Sequence, residues 1–319
     1  MDSNIKMKVM KNASVIQKEN GFGRLLKFDC SDGLGLMTVY NVFPGIELIY
    51  NEFETTEFSW KNNTSGNVME INHCREGREG SQLKNGAYLY LGEGDLSIHM
   101  MENCAPVMSF PLKHYRGVSV VIDLDIISEN PPDSLKDTEI DFIGFKEKFC
   151  GKDTSFIMPA KDEIEHIFSE LYFVPQQIKG DYYKVKALEL LLYLDALQFS
   201  DSKEDRPYFY KGQVEKIKAI HDLITANLQE HYTMDELAER FQISLTGMKT
   251  CFKEIFGDSM YSYLRRYRMN VAATMLRQDS QKGIAEIAGA VGYESPSKFA
   301  TAFRQVIGQT PMEYRKSFF

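Results

Sequence analysis

Two short stretches near the C-terminus carry hydroxyl and basic side chains at matching positions. Ser244, Met248, Phe252 and Lys253 correspond to Ser295, Phe299, Phe303 and Arg304 at an offset of 51. In each stretch a serine stands where its oxygen can accept from the first backbone N–H groups of a helix. Large apolar residues follow at four-residue spacing, which buries one helix face and leaves the polar groups on the other. Hydroxyls and cations held on a rigid polar face can hydrogen-bond to phosphates and base edges. Bond-making chemistry has no such counterpart, because no G-x-S-x-G, phosphate-binding loop or dinucleotide fingerprint occurs in the chain.

The elements that hold these groups are also written twice. Met234, Leu237, Ala238 and Phe241 match Ile284, Ile287, Ala288 and Val291 at an offset of 50. Gly257 and Tyr263 match Gly308 and Tyr314 at 51. A repeat of this period means one supersecondary unit built twice. Thr233 and Glu236 form a capping box that opens a first helix. A break at Gln242 and Ile243 precedes a second helix that Gly257 stops. Helix, tight turn, helix of this length reads as a helix-turn-helix, whose second helix enters the DNA major groove. In the second copy Gly292 lies in the turn and Ser295 opens the second helix. A hairpin used only for packing is the plain alternative, but two capped, polar-faced second helices argue against it. Residues 260–277 read as one intervening helix of about 27 Å, near the roughly 34 Å of a DNA turn.

The stretch GYESPSKFATAFRQVIGQTPMEYRK resembles the C-terminal signature of the AraC/XylS family of bacterial transcription regulators, and the resemblance runs from about Tyr210 to Lys316. It implies a unit that binds promoter DNA as one double reader and recruits RNA polymerase, with activation the expected sign. It places Thr246, Lys249 and Thr250 on the base-facing side of the first recognition helix, and Pro296, Ser297 and Thr301 on that of the second. Lys253, Arg304, Ser244, Ser295 and Arg268 fall at phosphate-contacting positions, with an intradomain ion pair the rival reading for Arg268. Thr250 and Thr301 stand where the family commonly has arginine. Threonine cannot make the bidentate contact to guanine, so Lys249 becomes the expected long-reach base reader.

Charge agrees with this division. From Pro207 onward the chain carries net +3 and the remainder net −11, against −8 for all 319 residues. A modestly basic domain suits phosphate neutralisation. The length suggests two domains. Five scattered cysteines without a C-x-x-C suggest free thiols in a reducing compartment. A polar start and the lack of an apolar run near 18 residues lead to the expectation of a cytoplasmic protein with no membrane contact.

The N-terminal half reads as β-structure between about 35 and 125. Leu36–Val42, Ile46–Phe53 and Val68–Cys74 are strand-like, and Asn85-Gly86 suggests a type I′ hairpin turn. Alternating residues follow from Leu96 to Met100 and from Val118 to Leu124. Many short strands with glycine-rich turns suggest a jelly roll or small barrel. The segments EINHCREGREG, NGAYLYLGEGDLSI and FPLKHYRGVSVVIDLD resemble the cupin-like sensory domain of the AraC-family branch that includes pyochelin-regulator-like proteins. Metal cupins use H-x-H with further ligands, whereas His73 and His99 are isolated, so no metal, no cofactor and no enzyme activity are expected. A cupin enzyme with a DNA-binding tail and a ligand-independent DNA binder remain the alternatives. Tyr50, Trp60, His73, Arg75, Tyr88 and Tyr90 are candidates for contacting a small-molecule effector.

The expected fold class is α+β: a cupin-like barrel or jelly roll over residues 1–158, then an all-α double helix-turn-helix domain over 211–319. A helical segment over 159–200 is read as a relay and homodimer contact through 161–199, and a charged linker as spanning 201–210.

Overall fold

A computed structural model describes residues 14–19, 23–59, 66–136, 138, 140–151, 155–198 and 208–318. The chain divides into two compact units, Met1–Tyr208 and Phe209–Phe319.

The first unit contains β1 (Ser14–Glu19), β2 (Gly23–Asp29), β3 (Leu34–Phe43), β4 (Ile46–Glu54), β5 (Glu57–Ser59), β6 (Val68–Gly77), β7 (Glu79–Leu83), β8 (Ala87–Leu91), β9 (Leu96–Met100), β10 (Cys104–Ser109), β11 (Tyr115–Asp123) and β12 (Phe156–Met158). A large antiparallel sheet runs β1-β2-β3-β4-β11-β6-β9-β12, and a smaller one runs β8-β7-β10-β5. The described strands do not join the two sheets into a closed barrel, so the jelly-roll outline is that of an open sandwich. Helices α1 (Leu124–Glu129), α2 (Asp133–Lys136), α3 (Phe142–Cys150), α4 (Asp162–Ser169) and α5 (Lys179–Ala196) complete the unit. A 3-10 turn, Glu170–Phe173, follows α4.

Both faces of the large sheet are covered, which explains its nearly unbroken apolar strands. Val118, Val120 and Ile122 of β11 pack with Ile71 and Ile98 against Phe145, Phe168, Leu190 and Leu194 of the helices. Residues of the opposite parity, Ile49, Phe53, Cys74 and Val121, pack against Phe58, Leu91 and Met108 of the smaller sheet. The segment expected as a relay is thus also a core layer, since Ile164, Ile167, Leu191 and Leu194 belong to the same cluster as the sheet.

The Asn85-Gly86 hairpin forms, but its turn differs from the expectation. Gly86 alone among its central residues has a left-handed φ, +83°, and its N–H donates to the Leu83 carbonyl at 2.9 Å. A type I′ turn needs two left-handed residues, so this is a type I turn followed by a glycine bulge. Asn85 serves another purpose, accepting from the Ala87 N–H at 3.0 Å.

Apart from a two-residue strand, Phe209–Tyr210, the second unit is helical: α6 (Lys211–Ala226), α7 (Met234–Arg240), α8 (Leu245–Phe256), α9 (Met260–Gln278), α10 (Ile284–Ala290), α11 (Pro296–Ile307) and α12 (Pro311–Lys316). The protein is therefore α+β, with a strand-rich first unit and a second unit dominated by helices. No described helix is long and apolar enough to cross a membrane.

Candidate nucleic-acid interface

The sequence repeat is a structural repeat. Thr233 accepts from the Glu236 N–H at 3.2 Å, and the Glu236 carboxylate accepts from the Thr233 N–H at 2.8 Å. That reciprocal cap fixes the start of α7. The turn then needs a left-handed residue: Gln242 at φ +51° in the first copy and Gly292 at φ +80° in the second. Gly257 and Gly308 end α8 and α11 at φ +81° and +87°, each donating its N–H to the carbonyl four residues back. Tyr263 meets Phe252 edge-on with centroids 5.6 Å apart, and Tyr314 meets Phe303 in the same way at 5.6 Å. The second copy departs at its opening, where Gly283 takes the cap position without a side-chain acceptor, and in its turn, which is one residue longer.

Burial sorts the recognition helices into two faces. Met248, Cys251, Phe252 and Ile255 turn α8 inward, and Phe299, Ala302 and Phe303 do so for α11. The opposite faces carry the expected readers. Thr246, Lys249, Thr250 and Lys253 are exposed on α8, and Pro296, Ser297, Thr301 and Arg304 on α11. Lys249 has no intramolecular partner among the described residues. Ser244 and Ser295 accept from the N–H groups of Gly247 at 3.1 Å and Lys298 at 3.4 Å. Their hydroxyl protons remain for an outside acceptor. Lys253 and Arg304 sit in the last turns, where a cation also complements the helix dipole.

Two features were not visible in the sequence. Thr301 donates its hydroxyl proton to the Ser297 carbonyl at 3.0 Å, which leaves its hydroxyl lone pairs and its methyl group for an outside partner. Arg268 departs from the expectation of a surface phosphate contact. Its side chain is 8% exposed, and the guanidinium donates to the Leu228 and Glu230 carbonyls at 2.6 and 3.2 Å. It ties α9 to the loop before α7, and burial lowers its pKa from the ordinary arginine value.

The effector candidates of the first unit fall into two separate groups. Tyr50, His73 and Arg75 lie on the helix-covered side of the large sheet. Tyr50 donates to the Leu171 carbonyl at 2.6 Å, and His73 stacks on Phe168 at 4.4 Å. Arg75 lies 4.1 Å above the Tyr172 ring. Burial pushes the His73 imidazole down to a pKa of about 4. Tyr88 and Tyr90 alternate with Leu89 and Leu91, which line the interior between the sheets, so the tyrosines face the other way. Trp60 lies outside the described residues.

The interior between the sheets holds a different polar set. Asn51 donates to Ser119 at 2.8 Å, Ser119 and Tyr115 donate to Asn72 at 3.2 and 2.9 Å, and Asn72 donates to Glu79 at 2.7 Å. Beside this chain is a cavity of about 10 Å³ lined in part by Glu79, Ser81, Ser97, His99 and Ser155. That is room for about one water. The available signal was polar residues recurring at every second position in strands otherwise apolar. Among the described residues no three His, Cys, Asp or Glu side chains are arranged to hold a metal ion.

Two helix-turn-helix units on one connecting helix, each presenting a capped and polar recognition helix, define a double DNA-reading module. The comparisons agree: residues 237–317 match the family model described as a helix-turn-helix domain. A Streptomyces antibioticus protein named as an AraC-like transcription regulator is 38% identical over 85 residues, 27% of this chain and 28% of that one. The transcriptional regulator AlkR of Acinetobacter baylyi is 32% identical over 100 residues, 31% of each chain. The C-terminal domain of AraT, a response regulator from Geobacillus stearothermophilus, is 28% identical over 32% of this chain and 84% of that one, with a TM-score of 0.31. By the family model the second unit contains a helix-turn-helix domain, and its sequence is similar to those of AraC-like transcription regulators. The chain spans less than a third of the length of the two curated relatives named here.

Proposed function

We propose that the protein is a transcription regulator that binds promoter DNA through α8 and α11. The observation that carries this reading is the duplicated polar face. Exposed Thr246, Thr250 and Lys253 recur as Ser297, Thr301 and Arg304 on a helix of the same length, capped and stopped alike, while Ala300 stands at the position of Lys249. Connecting helix α9, of 19 residues, is about 28 Å long, which suits two readers on one side of a duplex. In this reading the regulator works in the cytoplasm and activates by recruiting RNA polymerase. No enzymatic step is assigned to it.

The first unit is read as a sensor that binds a small molecule between its two sheets and biases which arrangement binds DNA. The buried polar chain from Asn51 to Glu79 supports a ligand rich in hydrogen-bonding groups. A second reading, a regulator without an effector, is favoured by the small interior cavity. A homodimer is supported by α5, where Val185 and Leu192, seven residues apart, are 59% and 49% exposed. Such spacing puts two apolar side chains on one stripe.

The test is selection of bound duplexes from a random library with the full chain, followed by footprinting at low salt. Two protected major-groove segments about one turn apart are expected. An absence of any protected sequence overturns the reading. Repeating the footprint with polyols, amines, organic acids and lipids separates the sensor from the ligand-independent regulator.

A further inference from the structure

A cleft of about 470 Å³ opens on the second unit, beside the N-terminal end of α11. Its floor is the α9 face formed by Tyr261, Arg265 and Arg268, and its rim carries His231, Ser295 and Lys298. Two arginines and a lysine there meet one carboxylate, that of Glu294. Small-molecule pockets are predominantly apolar, whereas this lining suits an anion.

Arg268 is the second observation. It lines the cleft from a buried position, and its Nε–H has no hydrogen-bond acceptor among the described residues. Its terminal nitrogen is already committed to the Leu228 and Glu230 carbonyls. Burial of an incompletely satisfied guanidinium is costly unless an anion or its field compensates. Arg265 is held in place by a hydrogen bond to Gln305 of α11. Lys298 is exposed in the first turn of that helix, beside Ser295. In a helix-turn-helix the N-terminal end of the recognition helix approaches the DNA, so this rim lies on the DNA side of the unit.

We infer that the cleft seats backbone phosphates of the DNA strand running between the two half-sites, with Arg265 and Lys298 as the contacting cations and Arg268 as the positive wall behind them. This rests on the DNA-binding reading and extends it. The connecting helix becomes a third contact, one that carries charge and no base sequence. A phosphate in this cleft could also come from a free nucleotide, and the test separates the two sources.

The experiment uses the full chain and a duplex recovered by the selection described above. Binding is measured against salt concentration for the wild type, for Lys298→Gln, for Arg265→Gln/Lys298→Gln, and for Lys218→Gln as an exposed control outside the cleft. Neutralising one phosphate contact lowers the logarithmic salt slope by about 0.9. The double variant is therefore expected to lower it by about 2, the single variant by about 1, and the control not at all, with sequence preference unchanged. Methylphosphonates placed between the protected segments are expected to lower the wild-type slope and leave that of the double variant unchanged. An unchanged slope in a double variant that still binds overturns the inference while leaving the DNA-binding reading intact. ATP or inorganic phosphate binding that the double variant loses, without a change in DNA slope, overturns it in favour of a free anion. Absence of any bound duplex overturns both readings.

Discussion

Lys249 is the only long side chain among the assigned base readers, and its neighbours on the reading faces are threonine, serine and proline. Lysine at a base edge discriminates by about 1–3 kcal/mol. Lys249→Ala is therefore expected to weaken the selected duplex by that amount and to flatten preference at one or two adjacent base pairs. Arg304→Ala should instead weaken all duplexes alike and reduce the salt slope by about 1. Binding curves on the selected duplex and on shuffled sequence distinguish the two. In the first unit the informative residue is His73. Its folded pKa of about 4 lies below the ordinary 6.5. The unfolded chain binds the extra proton between those values, so the stabilisation is present above about pH 6.5 and is lost as pH falls toward 4. The loss is on the order of 3 kcal/mol at most. Urea titrations of the wild type and His73→Gln between pH 4 and 7 check this: the variant should show a shallower fall. Equal slopes would remove His73 as the cause.

The two turns of the helical unit provide a controlled comparison. Gln242 and Gly292 occupy equivalent left-handed positions, yet only one is glycine. Gln242 is exposed, so its side chain costs little beyond the conformation itself, about 1 kcal/mol. At Gly292 an added Cβ would lie 2.1 Å from the Leu228 carbonyl oxygen and 3.0 Å from the Arg268 guanidinium. Gly292→Ala is expected to destabilise the second unit by about 2–4 kcal/mol, while Gln242→Gly should be neutral or stabilising by up to about 1 kcal/mol. Thermal unfolding of both variants tests the contrast. The repeat was legible in the sequence because caps, apolar stripes and stopping glycines sit at one fixed offset. The Asn85-Gly86 turn was misread because the dipeptide fits more than one hairpin geometry. Strand β7 escaped notice because EGSQL turns polar Glu79 inward, and β10 because Pro106 interrupts CAPVMS and its register shifts between Cys104 and Met108.

At the scale of the molecule, the exposed polar faces of the two proposed recognition helices were more legible than the placement of the effector candidates. A recognition helix has one buried face, so the exposed remainder follows from periodicity. The large sheet is covered on both sides, and strand parity alone does not say which side faces the other sheet. Tyr50 and His73 have the chemistry of ligand contacts, but their parity turns them toward α4 and the following turn. The proposed assembly makes its own prediction. Val185→Lys with Leu192→Lys should convert a dimer to a monomer in sedimentation, because both positions are exposed in the isolated chain. The melting temperature should change little. A dimer that survives both charges would place the interface elsewhere.

The hydrogen bond from Thr301 to the Ser297 carbonyl has a consequence for epigenetic marks. With its proton committed, Thr301 cannot donate to a guanine or thymine oxygen. Its methyl group is what it has to offer a base edge, and a methyl suits the C5-methyl of a pyrimidine. A duplex with deoxyuridine in place of one thymine in the second half-site should bind less tightly, and 5-methylcytosine there should bind better than cytosine. Such a reader would register base methylation as a change in packing alone.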